Sequence, residues 1–265
     1  MTEEFREVVR DGGYEALFWA AGLLGQALHP TQRNAERMES WVHEAVGRRQ
    51  SMRRLRARGL MEERPGHAAG ALRLTELGSL TLAGGRDPAG RWRRAWDGQW
   101  RLLAFDIPAK TQAPRMKFWR WLRANHFGLL QKSVWIHPDP IPDVDGFAEA
   151  AGLPLSHMVL FSGELSGGMR PRAIADAAWK FDEIDAGYRA YLAFAERAGR
   201  QLRTKAPSEK LLREIVVEDR HAWQAAVRPD PLLPKALLPP DYEGRAAWKA
   251  RQKLHHALWK LRPAP

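Results

Sequence analysis

Six arginines fall between positions 48 and 58 (48, 49, 53, 54, 56 and 58), with Gln50 and Ser51 among them. A guanidinium is a planar fork of donors that fits phosphate oxygens and the O6/N7 edge of guanine, while Gln and Ser bond base edges at shorter range. A helix that is merely solvated balances its cations with acids three or four residues away, and here only Glu44 is near. Read as a helix with Gly47 tolerated inside it, the segment puts Val42, Ala45, Met52 and Leu55 on one side. His43, Gln50, Ser51, Arg54 and Arg58 gather opposite. This arrangement suits contact with nucleic acid. The structural alternative is a basic helix on a protein-interaction module.

Asp106 is the other residue that invites a chemical reading. Holding magnesium for phosphodiester hydrolysis needs several carboxylates to converge. No DxD, HxH or Asp-Glu pair accompanies it, so Asp106 before Ile107-Pro108 reads as a turn or capping carboxylate. His255 and His256 are adjacent, which on a helix points them about 100° apart and prevents chelation as an i, i+4 pair. Nucleophile elbow, phosphate loop, zinc spacing and dinucleotide fingerprint are all missing. Cysteine is absent, which excludes disulfides and thiolate metal sites. The expectation is a protein that is not an enzyme, with no catalytic residue, no metal ligand and no cofactor.

The elements that must carry the arginines follow from local pattern. Tyr14 to Leu28 is an apolar, alanine-rich helix, and Thr31 is placed to cap a second from Gln32 towards Val42. Gly59 ends the arginine helix. Leu60 to Arg64, a Pro65-Gly66-His67 turn and Ala71 to Thr75 then read as two short strands around a tip. A helix followed directly by such a hairpin is the pattern of a winged helix-turn-helix. The spellings "R-L-x-x-x-G-L" and "L-T-x-x-G", here Arg54, Leu55, Gly59, Leu60, Leu74, Thr75 and Gly78, are similar to those of bacterial winged helices. In that arrangement Arg48, Arg49, Gln50, Ser51, Arg53, Arg54 and Arg58 reach the major groove. Arg64, His67 and Arg73 on the hairpin add phosphate or minor-groove contacts.

Gly84 to Gly90 is a turn-rich boundary. Arg91, Arg93 and Arg94 follow, interleaved with Trp92 and Trp96 in a way that could stack on bases. Five of the twelve tryptophans lie between 92 and 121, however, and Trp100, Trp119 and Trp121 are expected in a core or interface. Trp100 to Phe105 is a buried strand stopped by Asp106-Ile107-Pro108. Thr111 can cap a helix in which Met116, Trp119, Leu122 and Arg123 recur, Gly128 ends it, and Leu130 to Ile136 forms a second strand closed by Pro138. The connection is long enough for a crossover, so the pair need not be a hairpin. Val144 to Ala151 is a short helix and Met158 to Phe161 a third strand; no fourth is apparent. Ala173 to Arg203 is a helical stretch broken near Asp185-Ala186-Gly187, with Ala177, Phe181, Ile184, Tyr188, Leu192 and Ala195 as its apolar stripe. Ser208 opens a further helix that stops before Pro229. A proline-rich segment leads to a last helix ending at Leu261.

Two stretches carry a family resemblance. The first has Trp96, Asp97, Gly98, Trp100, Arg101, Phe105, Asp106, Ile107 and Pro108, then Phe127, Gly128, Leu130, Gln131, Ser133, Val134, Trp135, Ile136 and Pro138. The second has Asp230, Pro231, Leu233, Pro234, Leu237, Leu238, Pro239, Asp241 and Gly244, with Tyr242 where tryptophan is usual. Both closely resemble the PaaX family of bacterial transcriptional repressors, over roughly residues 91–262. The first is also similar to the ferredoxin-like small subunit of the CRISPR adaptation complex, which makes a metal-dependent nuclease the alternative reading. The resemblance implies an α+β chain of three parts: an N-terminal winged helix-turn-helix (1–85), a central ferredoxin-like β-α-β domain (91–165) and a mostly helical C-terminal domain for dimerisation and effector response (170–265). It implies a repressor that binds a double-stranded DNA operator as a homodimer and is released by an aryl-CoA thioester. Arg170, Arg172, Lys180, Arg189 and Arg197 are cations available to such an effector, and nothing assigns any of them to it.

Composition agrees with this. In 265 residues the formal charge is +11 and the pI about 10.3, which points to a polyanionic partner, nucleic acid before membrane. No stretch approaches the ~20 apolar residues that span a bilayer. Met1 to Gly13 mixes acids and bases without an apolar core, so a cytoplasmic location is expected.

Overall fold

Trp100–Phe105 forms a strand because an apolar run meets its stop at Asp106, and in the computed structural model it is the strand around which a sheet is built. The structure describes residues 18, 53, 55–63, 72–83, 85–106, 112–141, 144–165, 167–204 and 207–261. Call the strand Trp100–Phe105 β3, since β1 (Met61–Glu63) and β2 (Leu72–Leu74) precede it. It is followed by a helix (Gln112–Ala124), β4 (Gly128–Gln131), β5 (Val134–His137), a second helix (Val144–Ala150) and β6 (Met158–Gly163). Sheet order is β4-β5-β3-β6. β3 lies antiparallel to β5, with Leu103 opposite Trp135, and to β6, with Leu103 opposite Leu160. This is the β-α-β-β-α-β ferredoxin-like arrangement, with β5 inserted between the two strands that the first helix connects.

The single strand expected over Leu130 to Ile136 is a hairpin. Lys132, at φ 39°, and Ser133 reverse the chain, and the register shifts between Leu129 and Gln131. The reversal supplies the fourth strand. Phe118 and Leu122 from the first helix, and Val144 and Ala148 from the second, pack with Leu103, Phe105, Phe127 and Trp135 as the core of this layer. Trp119 and Trp121 lie against its margin.

The α-helices whose two ends both lie among the described residues are α1 (Glu76–Leu82), α2 (Pro88–Arg93), α3 (Gln112–Ala124), α4 (Val144–Ala150), α5 (Pro171–Ala178), α6 (Phe181–Gln201), α7 (Glu209–Val227) and α8 (Gly244–Leu261). Ser208 accepts from the amide of Leu211 at the start of α7, as a capping serine does. The helical stretch after residue 170 breaks at Trp179, which is extended (φ −121°, ψ 142°), and not at Asp185-Ala186-Gly187. Trp179 is held there because its indole stacks on Trp100 and donates to the carbonyl of His126. Its ring also sits where a Cβ on Gly128 would come within 2.7 Å. Within α6, Phe181, Ile184, Tyr188 and Ala195 are buried as the stripe predicts, and Tyr191, Phe194 and Ala198 join them. Ala177 is exposed.

By contact the chain groups into two units: Met1–Asp87 with Tyr188–Val227 and Gly244–Pro265, and Pro88–Gly187 with Arg228–Glu243. Among the described residues no helix is long and apolar enough to cross a membrane.

Candidate nucleic-acid interface

Arg53 is helical and exposed, Arg58 is half-buried in the closing turn of the same segment, and Arg73 is exposed on β2. Arg48, Arg49, Gln50, Ser51, Arg54, Arg64 and His67 lie outside the described residues. Arg73 is not a bare cation: it stands opposite Glu62 in the hairpin register and its guanidinium pairs with that carboxylate at 2.7 Å. Arg56 pairs likewise with Glu63 at 2.7 Å. Both pairs are exposed, so both break at little cost when a phosphate competes. Glu62 and Glu63 had no place in the sequence reading, and the signal for them was their position on the strand facing the arginines.

The frame that carries these residues is tightly specified. Gly59 takes φ 67°, its amide bonds Arg56 O, and the amide of Leu60 reaches back to Leu55 O at 2.9 Å. That is a Schellman stop, and the two residues of its usual hydrophobic pair, Leu55 and Leu60, are both buried. Thr75 then works on both sides of the hairpin. Its hydroxyl donates to Gly59 O and accepts from the Gly78 amide, capping α1, and its own amide bonds Leu60 O. A Cβ on Gly78 would stand 2.1 Å from Leu60 O, so only glycine lets α1 approach the hairpin backbone. The sequence spelling from Leu55 to Gly78 is therefore one interlocked corner of helix end, hairpin and helix.

The far end of α1 is anchored in a buried polar cluster. Arg251 of α8 donates to Leu82 O (2.8 Å) and lies against Asp219 of α7 (Nη2 to Oδ2 3.0 Å), with its guanidinium 5.1 Å from the Trp223 ring centre. Trp223 donates to Ala83 O, Tyr191 donates to Asp219, and His255 Nε2 meets Asp219 at 2.9 Å. Burial alone would raise the Asp219 carboxyl, but Arg251 and His255 outweigh it and hold it far below the carboxylate range. Burial lowers His255, partly offset by Asp219, so the ring is neutral near pH 7 with Nε2–H as donor. Phe18 packs edge-on to His255, and its carbonyl accepts from Trp259.

In the other unit the tryptophans of the arginine–tryptophan run pack on aromatic rings of the protein. Trp92 is buried against Tyr242, and Trp96 packs on Trp100. Arg94 grips Asp139 with two bonds (2.8 and 2.7 Å) and donates to Leu232 O. Leu232 sits at φ 51°, a conformation held by Asp230, which accepts from the Leu232 amide and from the Tyr242 hydroxyl. Asp97 pairs with Arg101, whose guanidinium also donates to Pro138 O. The proline segment and the Trp96–Arg101 turn thus owe their spelling to packing.

Asp106 is exposed and engages His157 only through its backbone. Among the described residues no group of three or more His, Asp or Glu is placed to share a metal ion. Of the cations considered for an anionic effector, Lys180 pairs with Glu183, Arg197 with Glu218, and Arg172 donates to Ala236 O.

Two family descriptions match the chain in succession: the PaaX protein central Cas2-like domain over residues 93–175 and the PaaX-like protein C-terminal domain over 179–263. A solved structure of an uncharacterized protein from Mycobacterium tuberculosis is similar at 20% identity and TM-score 0.48, covering 82% of this chain and 83% of that one. No curated protein matches.

Proposed function

The chain belongs to the PaaX family of transcriptional regulators, and from that premise we propose that it is a repressor that binds operator DNA through an N-terminal winged helix-turn-helix. One observation carries the reading. The helix end bearing Arg53, the β1–β2 hairpin and α1 form a single corner fixed by Gly59, Thr75 and Gly78. A helix held rigidly against a hairpin is what docking into a major groove with a flanking wing requires. Arg48, Arg49, Gln50, Ser51, Arg53, Arg54 and Arg58 are assigned to the helix side of the interface, and Arg64, His67 and Arg73 to the hairpin. Residues 1–85 are the reading segment, 91–165 the central domain and 170–265 the segment for dimerisation and effector response. A homodimer matches its two-fold axis to a palindromic operator, and the protein works in the cytoplasm, where its DNA is. No catalysis is assigned.

The test is selection of bound fragments from the source genome, followed by measurement of affinity for the recovered sequence and for a scrambled duplex at fixed salt. A preference of 10³ or more, on the order seen for specific regulators, supports the reading. Equal affinity for both duplexes sinks it. Release is tested separately by titrating free CoA, acetyl-CoA and aryl-CoA thioesters against the complex. A thioester releases DNA only by binding the DNA-free arrangement more tightly. Indifference to all of them removes the effector and leaves DNA binding in place.

A further inference from the structure

The outer face of α8 carries one sign of charge. Arg245, Lys249, Lys253, His256 and Lys260 are all exposed, and the helix contains no Asp or Glu. At about 100° per residue these five positions fall within an arc of about 80°, and at 1.5 Å per residue they run about 22 Å along the axis. The buried side, with Ala247, Arg251, Leu254 and Leu258, lies opposite. Arg251 is the cation on that side, and Asp219 neutralises it.

A lysine-rich outer face is often no more than a solvated one, and the neighbouring helices show what that looks like in this protein. On α7 and on α6 from Tyr188 onward, which belong to the same unit, Arg197 pairs with Glu218, Arg200 with Glu196, Arg213 with Glu209 and Lys210 with Glu214. Among the described residues the four basic side chains on the outer face of α8 have no such acid. Helix α3 also lacks acids, but its Arg115 and Arg123 lie over the Trp119 ring and exposed Met116 interrupts the face.

We propose that the outer face of α8 is a second nucleic-acid contact, a sequence-independent seat for the phosphodiester backbone of duplex DNA. The proposal rests on the DNA-binding reading above and adds a surface to it. Three of the four cations are lysines, which meet phosphates as point charges and lack the planar fork that reads guanine. About 22 Å of stripe matches about six phosphates of one strand at 3.4 Å of axis each. An anionic membrane is the poorer partner, because helices that lie on membranes bury Trp, Phe or Leu in the lipid. In α8, Leu254 and Leu258 are committed to the protein interior.

The experiment compares wild type with a Lys249→Gln/Lys253→Gln/Lys260→Gln variant on a labelled 40-base-pair duplex of arbitrary sequence and on the genome-selected operator, by anisotropy across a potassium chloride series. Three lost phosphate contacts at about 0.9 each should make the slope of log K against log salt shallower by about 2.7. Both duplexes should lose affinity equally, so the sequence preference stays at the wild-type value. The thermal midpoint should not move, and Lys→Arg at the same positions should restore the slope. A slope equal to wild type overturns the proposal, as does binding of phosphatidylserine vesicles that the variant loses while its DNA slope stays unchanged. If wild type binds arbitrary DNA with no preference for any genomic sequence, the repressor reading fails while the slope comparison still decides this surface. If wild type binds neither duplex, both fall.

Discussion

Arg251 and Asp219 are the most buried ion pair described in the chain, 1% exposed each, and the cluster around them is where single side chains matter most. Removing one partner leaves a charge in the interior without compensation, so Arg251→Met should destabilise by about 3–5 kcal/mol. Asp219→Leu combined with Arg251→Met should recover much of that loss, since an apolar pair can replace a buried ionic one. Denaturant midpoints of the single and double variants check both statements. The same cluster sets a pH dependence. His255 has its folded pKa lowered by burial, and a group of that kind contributes stability that is complete above the unfolded value near 6.5. Stability should therefore fall as pH drops below about 6.5, with Asp219 adding its own loss only below about 4, because its folded pKa is depressed as well. Urea midpoints at pH 7.5 and 5.5 read the histidine step, and His255→Gln should flatten it. At the DNA-facing surface proposed above, Arg53→Ala should cost about 1–3 kcal/mol of operator binding and relax specificity at one base pair, with the thermal midpoint unchanged. Arg73→Ala should weaken binding about equally on every sequence, because an arginine on the hairpin is assigned to phosphate and not to a base edge.

At the scale of elements, the corner between the arginine helix and α1 depends on atoms that side-chain motion cannot move. A Cβ at position 78 meets the backbone oxygen of Leu60, so Gly78→Ala forces the helix away from the hairpin and should cost at least ~1–3 kcal/mol. Its operator affinity should fall further than the fraction folded accounts for, as measured by binding below the unfolding transition. If Gly78→Ala binds and melts like wild type, the corner is not what holds the reading helix. Much of this level was legible beforehand. Gly59 as a helix stop, the β1 and β2 strands, β3, α4, β6 and the capping Ser208 all follow from propensity and punctuation. The β4–β5 hairpin was not legible. Its turn, Lys132-Ser133, holds none of the usual turn residues save serine, and the polar residues Gln131 to Ser133 between Leu130 and Val134 read equally well as the middle of one alternating strand. Alternation persists through such a reversal, so the period gives no sign of it. The break at Trp179 was invisible for a related reason. It is set by an indole packing on Trp100 and closing over Gly128, contacts that are distant in sequence. The same holds for Trp92 and Trp96, whose arginine-flanked spacing suits base stacking and whose partners, Tyr242 and Trp100, became visible only in three dimensions.

At the scale of the whole molecule, the two units are discontinuous in sequence, and this changes what the linker after residue 83 does. The boundary at Asp87 and Pro88 falls within the turn-rich stretch Gly84 to Gly90. Yet the chain just before it is clasped to the C-terminal helices: Arg251 bonds Leu82 O, Trp223 bonds Ala83 O, and Arg86 bonds Val227 O. Trp259 bonds Phe18 O near the other end of the segment. The N-terminal segment thus draws buried hydrogen bonds and aromatic contacts from residues more than one hundred positions away. A fragment of residues 1–87 keeps the Gly59–Gly78 corner but loses every one of those partners. Leu82 and Ala83 would present carbonyls with no buried donor, and the apolar surface under Phe18 would face water. The expected outcome is that the fragment alone shows no cooperative thermal transition and little protection of amides in α1 from hydrogen exchange. Mixing it with a fragment of residues 88–265 should restore both, because that fragment supplies α6, α7 and α8 together. A sharp, independent transition in 1–87 would mean that the reading segment is autonomous and that the clasp serves only to orient it. Failure of the mixture to restore protection would mean that continuity through Gly84 to Gly90 is itself required for the fold.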